Sequence, residues 1–269
     1  MDRQPLNFGF SSCPNDTFAF HALVHGLVPG PPVTPHIDDV EALNARAERG
    51  DADVTKISIA AYERVRDRYA LLRAGGAAGF GVGPIVVARG GRGAGGRVAI
   101  PGERTTAALL LHLLGRFERV PMRFDRIEDA VLRGEVDSGV LIHEGRFTYE
   151  SKGLTLVADL GALWEERMQC PLPLAAIAIR RDLATAWGRP LDAALRASVE
   201  HAFAHPADSR DYVATHAQEM DPSVVAKHIA LYVNDYTRAL DERAVQTLLD
   251  WARDHALDRP PESTHPVFV

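Results

Sequence analysis

A histidine in the stretch GVLIHEGRF is the residue best placed for acid–base chemistry. The apolar run SGVLI reads as a buried strand ending near Ile142. His143, Glu144 and Arg146 then emerge at its carboxyl end, which is where open α/β sheets bind ligands. An imidazole titrating near neutrality suits a general base. Four readings stay open: His143 is a structural histidine, it takes the proton, it only hydrogen-bonds a substrate hydroxyl, or it orients Glu144 and Glu144 is the base.

Three other polar stretches stand at strand ends. SSCPNDTF follows the apolar LNFGF; Pro14 pre-sets the turn, and either Asn15 or Asp16 can cap the helix. VTKIS carries Lys56 and Ser58 at the end of a second strand. IPGERTTAALLL places Thr105 and Thr106 at a helix start, where free N–H groups and the helix dipole favour an anion; this stretch and SSCPNDTF also read simply as well-capped helix starts. Cys13 reads either as a small buried side chain or as a direct participant in chemistry. The 11 histidines are scattered, with no pair at metal-ligand spacing beside carboxylates. A G-x-S-x-G nucleophile elbow is lacking too.

Alternating strands and helices must position these groups. Residues 16–25 read as a helix stopped by Gly26, and the proline-rich VPGPPVTPHI breaks any helix. VEALNARAERG is helical and ends at Gly50, VTKISIA is a strand, IAAYERVRDRYA a helix and GPIVVARG a short β-rich run. The glycine-rich GGRGAGG, residues 90–96, is either a linker or exposed turn, or a phosphate loop. It lacks the lysine of a phosphate loop and precedes a strand instead of joining strand to helix. A second unit follows: RVAI, TTAALLLHLLG, VPMRF, RIEDAVLRG and SGVLI alternate strand and helix, then GLTLVADLG and PLPLAAIAIRR add strands. From Leu191 onward the chain reads as helical, broken near Pro206, Asp221–Pro222 and Pro260. This pattern predicts an α/β protein with mostly parallel sheets flanked by helices. ERGDADVTKIS and LRGEVDSGVLIH share one plan, an Arg-Gly helix end followed by an acidic turn and a buried strand. Two similar lobes, or chance likeness between two αβ turns, accounts for it.

The chain of 269 residues is 46% hydrophobic, enough for a packed core in one large domain or two smaller ones. A net charge of −6 gives no basic field to draw it to nucleic acid or an anionic membrane. No signal-peptide pattern is recognised, and no run approaches the roughly 18 apolar residues of a membrane span. A soluble cytoplasmic protein is expected, with Cys13 and Cys170 reduced.

SSCPNDTFAF, LN at 43–44, DVTKISIAAY, GFGVGPIVV, IPGERTTAALLL, RGEVDSGVLIHEGRFTYESKGL, DLGALWEE, PLPLAAIAIRRDL and LYVNDYT occur in this order. Together, over nearly the whole chain, they resemble the 1,4-dihydroxy-6-naphthoate synthase family of the futalosine route to menaquinone. The glycine-rich 90–96 stretch departs from that pattern. The resemblance implies the two-lobed fold of periplasmic solute-binding proteins, type II. It places residues 1–90 and 174–269 in a larger discontinuous lobe and 91–173 in a smaller one. The chain would then cross near 88–92 and 172–176, with the active-site cleft between the lobes. It also implies a lyase acting on cyclic dehypoxanthinyl futalosine, a small-molecule carboxylate, with no metal and no cofactor. His143 becomes the proton acceptor; Lys56, Ile57, Ser58, Thr105, Thr106, Asn15 and Asn44 become substrate-binding. The alternatives are the sibling chorismate dehydratase and a solute-binding protein without catalysis.

Overall fold

The computed structural model describes residues 4–218, 221–255 and 263–269; the break expected near Pro260 lies outside them. The chain opens with β1 (Leu6–Phe10), α1 (Pro14–Val24), β2 (Val33–Ile37), α2 (Val40–Arg49), β3 (Val54–Ser58), α3 (Ile59–Tyr62), β4 (Tyr69–Leu71) and β5 (Ala77–Gly79). Next come β6 (Ile85–Arg89), β7 (Arg97–Ile100), α4 (Thr106–Leu110), β8 (Glu118–Pro121), α5 (Ile127–Arg133) and β9 (Ser138–Leu141). They continue into α6 (Gly145–Thr148), β10 (Leu154–Asp159) and α7 (Leu160–Met168). The last part is β11 (Leu172–Arg180) and helices α8 (Arg181–Ala204), α9 (Arg210–His216), α10 (Pro222–Tyr232), α11 (Asp235–Arg238) and α12 (Glu242–His255).

Among the described residues these strands form a six-stranded sheet, β2-β1-β3-β11-β4 with β5 also on β11, and a five-stranded sheet, β10-β6-β9-β7-β8. The two-lobed α/β fold is as expected. Each sheet, however, is mixed instead of mostly parallel. β1 runs parallel to β2 and β3, and β7 parallel to β8 and β9. β6 and β11 run antiparallel to every strand they pair with. The cause is the crossing itself. Parallel strands end at the cleft, whereas a strand arriving from the other lobe begins there.

Because β6 already belongs to the second sheet, the first crossing occupies residues 80–84, earlier than the expected 88–92. GGRGAGG draws attention by its composition but is an exposed connection from β6 to β7. The chain returns at residues 169–171, just ahead of the expected 172–176, with Gln169 at φ 54°. The repeated plan in the sequence corresponds to two equivalent units. α2 ends at Gly50 and α5 at Gly134, both left-handed, and each feeds a buried strand aimed at the cleft.

Other departures have local causes. The proline-rich stretch contains β2, which tolerates Pro35 because it lies at the sheet edge. α3 is a single turn, since Tyr69 and Leu71 are drawn into the core as β4. α8 begins ten positions before Leu191 and carries Pro190 inside it. One apolar cluster runs unbroken from Ile57 and Tyr62 in the first lobe through Val98, Ile100 and Leu110 in the second to Leu248 and Trp251 of α12. Among the described residues no helix is long and apolar enough to cross a membrane.

The first crossing turns on Gly83, whose φ is 120°. A Cβ there would stand 2.8 Å from Leu172 Cδ2 and 3.1 Å from Gly161 Cα, in the second crossing's neighbourhood. Gly83→Ala combines backbone strain with overpacking and should cost about 2–4 kcal/mol. Thermal unfolding should register this as a midpoint lower by at least about 5 °C. An unchanged midpoint would show that the crossing yields freely.

Candidate active site

The carboxyl ends of β1, β3, β7 and β9 converge on one cleft between the lobes, partly open to solvent. A concave site of this kind suits a small molecule. Its wall includes Ser11, Asn15, Asp16, Lys56, Ser58, Thr105, Thr106 and His143, joined by His228 and Tyr232 from α10.

The β1–α1 turn is organised around a buried carboxylate. Neither Asn15 nor Asp16 caps α1; Cys13 holds the N-cap position without a side-chain cap bond, and Pro14 opens the helix. Asp16, 2% exposed, instead accepts from Ser11 N at 3.1 Å, Ser11 Oγ at 2.8 Å and Asn15 Nδ2 at 2.9 Å. Its fourth donor is Lys56 Nζ at 2.6 Å. Lys56 also donates to Gly75 O at 3.1 Å and lies 5.4 Å from the Phe20 ring centre. An ammonium has three donors, so one remains for a ligand in the cleft.

Strand alternation sorts the next residues. Lys56 and Ser58 share the face that meets the cleft, while Ile57 points the other way into the core, fully buried. Asn44, 0% exposed, is also absent from the cleft wall. It braces Ser58 from behind, its Oδ1 accepting from Ser58 N at 2.9 Å and its Nδ2 donating to Ser58 Oγ at 3.0 Å. The Ser58 hydroxyl therefore keeps its own proton for the cleft. Ile57 and Asn44 thus support the site; their side chains do not line it.

The threonine pair lines the cleft, but its hydroxyls are committed. Thr105 caps α4, accepting from Ala108 N at 3.1 Å and donating to Gly102 O at 2.8 Å. Thr106 Oγ1 donates to Leu174 O at 2.8 Å and accepts from Ala60 N at 3.3 Å, tying the two lobes together. What α4 offers a ligand is therefore backbone, the N–H groups of Thr106 and Ala107 at its start. Arg104, just ahead, bonds Glu41 at 2.9 Å and Glu48 at 2.8 Å on α2, adding an ion-paired link between the lobes.

His143 follows β9 and has φ 56°, a left-handed conformation that costs a non-glycine residue on the order of 1–3 kcal/mol. This turns the ring into the cleft, edge-on to Phe124 at 4.8 Å, with Nδ1 at 3.1 Å from Cys13 Sγ. Burial pushes the imidazole down to about 4, with Asp16 pulling the other way. Burial also pushes the Cys13 thiol well up, Glu144 adding to the effect. At neutral pH both groups are uncharged. Glu144 is buried but does not line the cleft. Arg146 likewise turns away, donating to Gly83 O at 3.1 Å and pairing with Asp159.

His228 went unsuspected in the sequence. Its Nε2 lies 2.9 Å from Asn15 Oδ1, and its ring centre is 4.7 Å from that of Tyr232 and 6.4 Å from that of His143. The available signal was its spacing four residues before Tyr232, which puts both on one helix face. Among the described residues, no group of three or more His, Cys, Asp or Glu is placed to hold a metal ion.

A family model described as menaquinone biosynthesis matches residues 6–254. The chain belongs to that family. It is 51% identical to a 1,4-dihydroxy-6-naphtoate synthase of Thermus thermophilus, covering 99% of this chain and 100% of the relative. It is 46% identical to a protein of the same name from Streptomyces coelicolor, covering 90% and 89% of the two chains. A solved Archaeoglobus fulgidus protein superposes with TM-score 0.90 at 38% identity, covering 96% of this chain and 100% of that one. An alkanesulfonate-binding protein of Xanthomonas axonopodis superposes with TM-score 0.72 at 16% identity, over 97% and 96% of the chains, a likeness of fold. In this family member the cleft lies between two mixed sheets.

The buried Lys56–Asp16 pair generates a stability prediction. Lys56→Met leaves Asp16 buried without its cation, which should cost about 3–5 kcal/mol. Adding Asp16→Asn removes the orphaned charge, and urea unfolding of the double variant should recover at least half of that loss. Strictly additive losses would mean that the two side chains do not act as a pair.

Proposed function

We propose that this protein is a 1,4-dihydroxy-6-naphthoate synthase that acts in the cytoplasm on cyclic dehypoxanthinyl futalosine. Loss of the sugar-derived carbons leaves a dihydroxynaphthoate, and the gain of aromaticity drives the reaction. The enzyme needs a base to begin proton abstraction and donors to hold the enolate charge that develops. Neither task calls for a metal or a redox cofactor.

The observation that carries this reading is the placement of His143, a neutral imidazole held in the cleft by a left-handed backbone and by Cys13. For Nε2 to accept the substrate proton, Nδ1 must carry the ring hydrogen and donate it to Sγ. The raised thiol pKa fits this, because a neutral sulfur leaves no thiolate to trap the imidazolium. The negative Asp16 favours the imidazolium once formed. The third donor of Lys56, the Ser58 hydroxyl and the first N–H groups of α4 supply the charge-stabilising wall for the substrate carboxylate or the enolate. The full-length relatives that bear the synthase name favour this reading over chorismate dehydration. A purely solute-binding role rests on fold likeness alone.

Purified protein incubated with cyclic dehypoxanthinyl futalosine should generate the naphthoate chromophore, whereas chorismate should be untouched. The reverse pattern sinks the proposal. His143→Asn should lose about 10²- to 10⁴-fold in kcat, while Glu144→Gln, outside the cleft wall, should retain most of it. A histidine variant with near-normal kcat and a raised KM would make His143 a binding group only.

The pH dependence follows from the depressed imidazole. The active form of a base is the neutral one, and His143 gains its proton only as pH falls through about 4. The acid limb of kcat/KM should therefore lie near pH 4, leaving a flat profile through 6.5 where an ordinary histidine would titrate. A limb at 6.5 that His143→Asn abolishes would contradict that placement.

A further inference from the structure

The mechanism above uses one histidine of the cleft and leaves the other unexplained. His228 is 1% exposed, on α10, and forms part of the cleft wall. Its protonation is fixed by a chain of partners that starts at Asp16. The Asp16 carboxylate accepts only, so Asn15 must turn its NH₂ toward it, at 2.9 Å. That leaves the amide oxygen of Asn15 facing His228 Nε2 at 2.9 Å. An amide oxygen accepts only, so Nε2 carries the ring proton and Nδ1 bears a lone pair. That Nδ1 is buried and has no partner.

Two other histidines, one just past the end of α1 and one closing α12, sharpen the contrast. The Nδ1 atoms of His25 and His255 lie 2.9 Å and 2.8 Å from the carbonyl oxygens of His21 and Trp251, four residues back. That arrangement needs a proton on Nδ1, which the Asn15 contact denies to His228. A buried acceptor left unpaired costs on the order of 1–3 kcal/mol. A retained cost at a cleft wall points to a ligand donor. Burial and the neighbouring His143 push His228 well below the usual imidazole range, so protonation of Nδ1 does not relieve it.

We propose that His228 is a substrate-contacting residue whose Nδ1 accepts a hydrogen bond from a hydroxyl of the substrate, in the tautomer that Asn15 and Asp16 impose. This rests on the substrate proposed in the preceding section, whose sugar-derived part carries hydroxyls. Its role is recognition: the site rejects an analogue that lacks the hydroxyl, because the acceptor is then left unpaired.

Two substitutions separate this from a merely structural role. Glutamine places an amide nitrogen near the position of Nε2, keeps the contact to Asn15 and supplies no acceptor at Nδ1. Asparagine places an amide oxygen near the position of Nδ1 and gives up the contact to Asn15. His228→Gln should raise KM about tenfold or more with kcat within about threefold of wild type and an unchanged thermal midpoint. His228→Asn should raise KM less. Wild-type KM in His228→Gln overturns the proposal, as does a fall in kcat at unchanged KM. Histidine ¹⁵N NMR of the wild-type enzyme provides a test that needs no variant. The Nε2–H tautomer is expected for His228, with its Nδ1 resonance moving when substrate is added; an Nδ1–H tautomer refutes the assignment. Failure of the wild-type enzyme to turn over the substrate would instead remove the functional reading beneath it.

Discussion

A single buried carboxylate sets the geometry of this protein. Asp16 is almost wholly removed from water, where an unpaired charge is not tolerated. Four donors converge on it, from Ser11 N, Ser11 Oγ, Asn15 Nδ2 and Lys56 Nζ. It sits in the first turn of α1, where the helix dipole also favours a negative charge. Meeting this one demand bends the β1–α1 turn, draws β3 alongside through Lys56, and fixes which way the Asn15 amide faces. The Phe8, Phe10 and Phe20 rings pack beneath, at centroid distances of 5.0–5.4 Å, and keep water from the pair.

The two lobes meet through contacts that also shape the cleft. Thr106 bonds Leu174 O and Ala60 N in the first lobe, Arg104 pairs with Glu41 and Glu48, and the main apolar cluster continues from one lobe to the other. A hydroxyl that bridges lobes is unavailable to a ligand. What α4 leaves uncommitted is main-chain N–H groups, whose positions are set by the Thr105 cap instead of by a side-chain rotamer.

Much of this was legible in the sequence, for identifiable reasons. Buried β-branched runs mark the strands, and the rule that ligands gather at strand carboxyl ends picks out Asn15, Lys56, Ser58, Thr105, Thr106 and His143. Neighbourhood in a motif is a weaker guide. Ile57 and Asn44 travel with Lys56 and Ser58, yet strand alternation sends one into the core and packing sets the other behind the site. β2 was hidden by prolines that only an edge strand accepts. The glycine-rich 90–96 stretch drew the lobe boundary toward itself, although composition records flexibility and not which sheet a strand joins. His228 gave little local sign, since an apolar helix carrying one histidine looks like any core helix. Its meaning comes from α10 packing against α1, a contact between residues more than two hundred positions apart.

The turn SSCPNDT then acquires a role larger than closing one wall. Residues 13 and 15, flanking Pro14, reach histidines on opposite lobes: Cys13 meets His143 Nδ1 and Asn15 meets His228 Nε2. One short segment thus touches one nitrogen of each ring and leaves the other nitrogen without a contact to this turn. Opposite nitrogens are engaged, so the two imidazoles are poised differently although their rings are 6.4 Å apart. Burial lowers the pKa of both, and His143 lowers that of His228 further. When His143 takes a proton, its new charge makes a proton on His228 still less favourable. The same proximity that places two histidines in one cleft therefore disfavours charge on both at once.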